Sequence, residues 1–228
     1  MTVLHLADEG EAADLAAFLS RLLHYDRSAA VRLQAAGTAL AVFGRPPSFE
    51  VLAVRAVRLA KPYENGLDVT LDVTVSAGEL LEAVDEPAAT AGVPGAVTGP
   101  PWAGVLPPRG GWRPEPGLPA PDALRALVAA AVAEFRSRTG ELAPERRTRT
   151  ELDAIGREIW SRTVGDTGLP VRAVHAAQSL GFLRLPGVSG EPDAPKLFSS
   201  GAWLRLRTPY GSVALRRAGS GALGISVR

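Results

Sequence analysis

Between residues 85 and 120 the chain carries Gly95, Gly99-Pro100-Pro101, Pro107-Pro108, Gly110-Gly111, Pro114 and Pro116. Proline lacks the N–H that helices and ladders use, and glycine weakens either element, so neither helix nor strand is expected to persist there. The stretch therefore divides the 228 residues into a part before it and a part after it. Trp102 and Trp112 lie inside it, and a purely flexible linker rarely contains tryptophan. A loop pinned to the protein surface by these rings is the favoured reading. A proline–aromatic ligand segment or a lid is the other.

Before the break, residues 1–84 predict an α-β-β-β-β-α unit. Asp8 and Glu11 form a capping pair, and Leu15, Phe18, Leu19, Leu22 and Leu23 then share one helical face. Strands are expected over Ala30–Ala36, Ala39–Phe43 and Phe49–Ala60. Leu67–Ser76 alternates strictly, with Leu67, Val69, Leu71, Val73 and Val75 opposite Asp68, Thr70, Asp72, Thr74 and Ser76. Such alternation implies one wet face and hence a small antiparallel sheet. Ser76 and Glu79 cap a short helix from Ala77.

After the break, residues 121–228 predict a helical domain with a basic hairpin. Helices are expected over Pro121–Arg138, from a Thr148/Glu151 cap to a stop at Gly165-Asp166-Thr167-Gly168, and from Pro170 to Leu180. A Gly/Pro loop is expected from Pro186 to about Gly201. In the hairpin Ala202–Arg217, Trp203, Arg205 and Arg207 alternate with Leu204 and Leu206, and Arg216 returns on the second strand. Helix, helix, turn, helix, hairpin is the order of a winged helix-turn-helix. The fold expected is α+β: an N-terminal antiparallel sheet with helices, and a winged-helix-like C-terminal domain.

Winged-helix geometry would send the last helix into a major groove and lay the hairpin on backbone phosphate. The polar arc of that helix is Arg172, His175, Gln178 and Ser179, and Arg172 and Gln178 suit guanine and adenine. Trp203, Arg205, Arg207 and Arg216 complete the candidate surface, with double-stranded DNA as the expected partner. Two alternatives stand beside it: a scaffold that binds a protein or self-associates through the N-terminal sheet, and an enzyme or small-molecule binder with its pocket between the two halves, near Trp102 and Trp112. The net charge of +1 supplies no global field toward nucleic acid. After Asp193 no acidic residue follows, whereas Lys196, Arg205, Arg207, Arg216, Arg217 and Arg228 do.

No catalytic signature is present, so a non-enzymatic protein without cofactor is expected. His5, His24 and His175 lack a second histidine at ligand spacing. Asp68 and Asp72 share a strand face about 13 Å apart, too far for one metal ion. The match Gly219-x-Gly221-x-x-Gly224 leaves no room for a dinucleotide-binding unit before Arg228. Cysteine is absent, which fits the cytoplasm. No signal peptide and no spanning helix of about 18 apolar residues are expected.

Overall fold

Asp8 starts the first helix by accepting a hydrogen bond from the Glu11 N–H at 2.9 Å. Thr148 and Ser76 cap two further helices in the same way, through the N–H groups of Glu151 and Glu79. The structure, a computed structural model, describes residues 2–60, 71–184 and 194–217. The chain begins β1 (Val3–His5), α1 (Glu9–Tyr25), β2 (Ala30–Ala36), β3 (Ala39–Gly44), β4 (Leu52–Arg58) and β5 (Asp72–Ser76). It continues α2 (Ala77–Glu82), β6 (Val84–Asp85), β7 (Thr90–Gly92), β8 (Arg113–Glu115), α3 (Pro121–Gly140) and α4 (Arg149–Ser161). It closes with α5 (Val171–Ser179), β9 (Lys196–Ser200), β10 (Trp203–Thr208) and β11 (Gly211–Arg216). The expected strand residues Leu67–Thr70 lie outside the described residues.

The fold is mixed α+β with antiparallel sheets. A small sheet has the order β1-β7-β6, and a large one the order β5-β2-β3-β4-β11-β10-β9-β8. The hairpin is therefore not a free-standing wing on a separate helical domain. β11 pairs with β4 through Ser212↔Val54, Val213↔Ala53 and Ala214↔Leu52. The reason is visible in the burial of both strands. Leu52, Ala53, Val54 and Arg55 are consecutive buried residues, as are Ser212, Val213, Ala214 and Leu215. A strand buried on both faces needs a neighbour on each edge as well as layers above and below.

Alternation sorts the large sheet into two faces. Leu33, Val42, Ala53, Val213, Leu206 and Leu197 point inward, into one core shared with Leu15, Phe18, Leu22, Val128, Ile159, Val174 and Leu180 from the helices. The opposite, outer face carries Thr74, Arg32, Phe43, Val54, Ser212, Arg207 and Lys196 in one row of paired residues across seven strands. The proline-rich stretch runs over this outer face. Trp102 and Leu106 pack on Phe43, Leu52 and Val54. The Arg32 guanidinium donates to the Ala103 carbonyl, and Ser200 Oγ donates to the Gly110 carbonyl at 3.2 Å. The pinned loop is thus what forms. Contrary to the expectation of no strand there, the stretch holds β7 and β8; β8 is a three-residue edge strand containing Pro114, as suits a position with one unpaired side.

Lys196–Ser200, expected within a Gly/Pro loop, is strand β9. The helices lie close to their expected bounds, except that α4 ends at Ser161, before the Gly165-Asp166-Thr167-Gly168 stop. α3 and α4 are bridged by Arg162 to Glu134 at 2.6 Å and Arg138 to Glu158 at 2.7 Å. Hydrogen bonds from Arg138 and Arg162 hold the Glu158 carboxyl down at about 2.

Gly211 opens β11 at φ +153, and a Cβ there would come within 2.5 Å of the Phe182 ring. Phe182 is itself buried and stacks on Phe18 with centroids 5.7 Å apart. Gly211→Ala should therefore destabilise the protein by about 1–3 kcal/mol, the usual range for overpacking. Thermal denaturation checks this, and Gly201→Ala, where a Cβ meets nothing within 4 Å at φ +54, is the comparison with a positive φ but no clash.

Candidate functional site

The strand pairing brings the hairpin residues together. Trp203, Arg205 and Arg207 leave β10 on the outer face, opposite Arg216, Ala214 and Ser212 of β11 and Ser200, Phe198 and Lys196 of β9. Arg207 and Arg216 are exposed, and Trp203 and Arg205 are half-buried. Arg205 Nε donates to Ser212 Oγ at 2.9 Å. Its guanidinium lies over the Trp112 ring, 5.7 Å from the centroid. Trp112 is held in turn by its indole N–H, which donates to the Pro108 carbonyl at 3.0 Å.

Among the described residues no carboxylate is within ion-pair distance of Arg205, Arg207 or Arg216. Burial first, and the neighbouring Arg207 charge second, push the Arg205 pKa below its ordinary value. Both causes report a cation that gains from an added anion. A concavity of about 150 Å³ lies beside it, lined by Arg205, Arg207, Lys196, Ser212, Thr208 and Gly211. The other half of the outer face is neutralised. Arg32 pairs with Asp72 at 2.7 Å, and the hydrogen bond from Arg32 lowers the Asp72 pKa. Asp72 is thereby a structural partner, and Asp68 lies outside the described residues.

The α5 residues are not part of this surface. Ala173, Val174, Ala176 and Ala177 are buried in the core that also holds Leu204, Leu206, Val213 and Leu215. α5 therefore covers the inner face, on the other side of the sheet from the arginines. His175 is sandwiched, stacked on Trp160 at 4.7 Å and edge-on to Phe49 at 5.1 Å. Arg172 faces Glu50 at 3.5 Å. Gln178 is exposed and Ser179 half-exposed. The eight predicted residues thus fall into two groups, four on each side of the sheet. The polar arc of α5 is divided: Trp160 of α4 and Phe49 of the 3₁₀ turn Pro47–Phe49 cover His175, while Gln178 stays exposed.

Sequence reasoning missed Lys196, Trp112 and Ser212 as members of the arginine face. The alternation Lys196-Leu197-Phe198 was a usable signal for the first. The approach of Trp112 depends on the path of the proline-rich stretch and has no local signature. Among the described residues there is no group of three or more His, Cys, Asp or Glu that could hold a metal ion. No described helix is long and apolar enough to cross a membrane. The glycine-rich tail Gly219–Gly224 lies outside the described residues.

Residues 107–220 match the family described as Domain of unknown function (DUF8185). The chain belongs to the DUF8185 family. Residues 1–104 match a second description, Domain of unknown function (DUF8010). No curated protein matches the chain. The DUF8185 segment contributes β8, β9, β10 and β11, and the DUF8010 segment contributes β2, β3, β4 and β5. The β4–β11 pair joins the two segments, and the arginine face belongs to the DUF8185 side.

Burial lowers the His175 pKa from the ordinary 6.5. The folded chain then holds its ring neutral, while the unfolded chain takes a proton as pH falls through 6.5. Stability present above that value should be lost as pH falls below it. His5 and His24 are exposed, so a His175→Gln variant should flatten the decline of thermal midpoint between about pH 7 and 5.5. An unchanged slope would show that the His175 ring is not the source.

Proposed function

We propose that this protein is a non-enzymatic nucleic-acid-binding protein whose contact surface is the outer face of β9–β11. The carrying observation is the convergence of Arg205, Arg207 and Arg216 with Trp203 on one sheet face, without a carboxylate partner among the described residues. Arginines on such a face take phosphate oxygens, and half-exposed tryptophans offer rings on which unpaired bases stack. An open sheet face with both is suited to single strands, whose bases are free to stack. The expectation of a winged helix on duplex DNA loses its reading element, since α5 lies on the inner face and His175 and Arg172 are engaged there. What survives of it is the hairpin: the same arginines, presented by a sheet. The absence of cysteine supports a cytoplasmic setting.

Fluorescence anisotropy with a labelled oligothymidine of about 20 nucleotides and a duplex of equal length tests the proposal. Single-strand affinity should fall as salt rises from about 50 to 200 mM. Arg207→Glu with Arg216→Glu should weaken it at least about tenfold and flatten the salt slope by roughly 0.7 per lost contact. Both side chains are exposed, so the thermal midpoint should hold. Tighter binding of the duplex would overturn the single-strand reading. Affinity indifferent to salt and to the charge reversals would overturn nucleic-acid binding.

A further inference from the structure

On the helical side, away from the arginine face, a cleft of about 530 Å³ opens between α4, the first turn of α5 and the 3₁₀ turn Pro47–Phe49. Pockets of 300–1,000 Å³ are the usual size for small organic ligands. Two aromatic rings line it. Trp160 and Phe135 have centroids 6.1 Å apart at an interplanar angle of 41°. Trp160 is fixed by the His175 stack at 4.7 Å, which Phe49 backs from the far side. Gly156 sits in the interior of α4, where glycine is unfavourable. A Cβ there would contact both rings at 3.5 Å, so no clash demands glycine at that position. Its lack of a side chain keeps the space between the rings open.

The charge chemistry of the cleft is incomplete. The Arg172 side chain is only 24% exposed, and its Nε is buried without a hydrogen-bond partner among the described residues. Among the described residues its ion contact is the Glu50 carboxylate, at 3.5 Å from that nitrogen. The pair makes no hydrogen bond at that distance. The Glu50 side chain is 72% exposed, so water competes for it. Its backbone holds a left-handed φ of 53°, unusual for a residue other than glycine. Arg157, on the same cleft, is exposed and has no carboxylate at ion-pair distance among the described residues. A buried guanidinium N–H without an acceptor is costly, and a bidentate oxyanion satisfies it best.

We propose that this cleft binds a small planar aromatic compound bearing an anionic group. Its ring lies against Trp160 and Phe135, and its oxyanion takes Arg172 in place of Glu50. Glu50 is then an internal competitor for the cation. This assignment does not depend on the nucleic-acid reading, since the two surfaces lie on opposite sides of the sheet.

Anilinonaphthalene sulfonate is a suitable probe, titrated into the full chain and followed by tryptophan-sensitised emission. Benzoate and phenyl phosphate should displace it, and the stronger competitor distinguishes a carboxylate from a phosphate preference. Arg172→Met should weaken probe binding by at least about tenfold, as expected for a lost charge-assisted hydrogen bond. Gly156→Leu should abolish it by filling the space between the rings. Glu50→Gln should tighten it severalfold, an opposite sign that a merely structural role would not give. Glu50 is exposed, so this variant keeps the test decisive even where the other two lose their fold. Absence of saturable probe binding, unchanged or weaker affinity in Glu50→Gln, or loss of binding in Arg207→Glu with Arg216→Glu would each overturn the assignment.

Discussion

Arg55 sits on the inner face of β4, where alternation calls for an apolar side chain, and it is only 6% exposed. Its guanidinium is met by Glu11 at 3.0 Å and Asp14 at 3.1 Å, both from α1. It also donates to the Tyr210 carbonyl in the β10–β11 turn at 2.8 Å. One side chain thus ties the first helix, the central strand and the hairpin. Asp14 extends the link by pairing with Arg184 at 2.7 Å, and Arg184 lies over the Tyr210 ring at 3.8 Å. The Arg184 hydrogen bond and the Arg55 and Arg184 charges outweigh burial and lower the Asp14 pKa. Buried ion pairs of this kind add little net stability over apolar packing, but removing one partner strands the others. Their value here is registration: the hairpin turn has one place to sit, and β11 reaches β4 in one register.

The arginine face exists because of that docking. A hairpin free of β4 would expose Val213 and Leu215 on one side and its arginines on the other. Docked, it buries the apolar side against α5 and leaves Trp203, Arg205, Arg207 and Arg216 on a continuous outer face. The proline-rich stretch then covers the apolar middle of that face with Trp102 and stops at Trp112, beside Arg205. Charge is divided accordingly. Asp72 neutralises Arg32 at one end of the sheet, and the arginines of β10 and β11 stay unpaired with described carboxylates at the other. The second cleft, around Arg172, arises on the helical side because α4 and the Pro47–Phe49 turn close over α5. The aromatic series Phe49, His175, Trp160 and Phe135 is the seam between them.

Local chemistry made most elements legible. The capping pairs Asp8/Glu11, Ser76/Glu79 and Thr148/Glu151 and the leucine spacing of α1 are short-range signals, and they hold. The hairpin alternation named the arginines of the outer face correctly. The β4–β11 seam was not legible, because its partners lie far apart in sequence and pairing depends on shape rather than on a motif. A trace was present in the unbroken apolar character of Leu52-Ala53-Val54 and Val213-Ala214-Leu215, which suits a strand buried on both faces. The polar arc of α5 misled for a related reason. Arg172 and His175 are polar on a helical wheel, yet their surroundings come from Glu50, Phe49 and Trp160 on other elements. The short strands β1, β6, β7 and β8 hold two or three residues each and carry too little pattern to be seen.

The central claim is that the two matched segments form one sheet through β4 and β11. Hydrogen exchange of the whole chain in rising denaturant, read by mass spectrometry on peptides covering residues 52–58 and 211–216, tests it most directly. The account predicts that both peptides exchange through the same cooperative opening, with free energies that merge at the global value. Exchange of residues 211–216 through a separate, lower-energy opening that leaves residues 52–58 protected would contradict it.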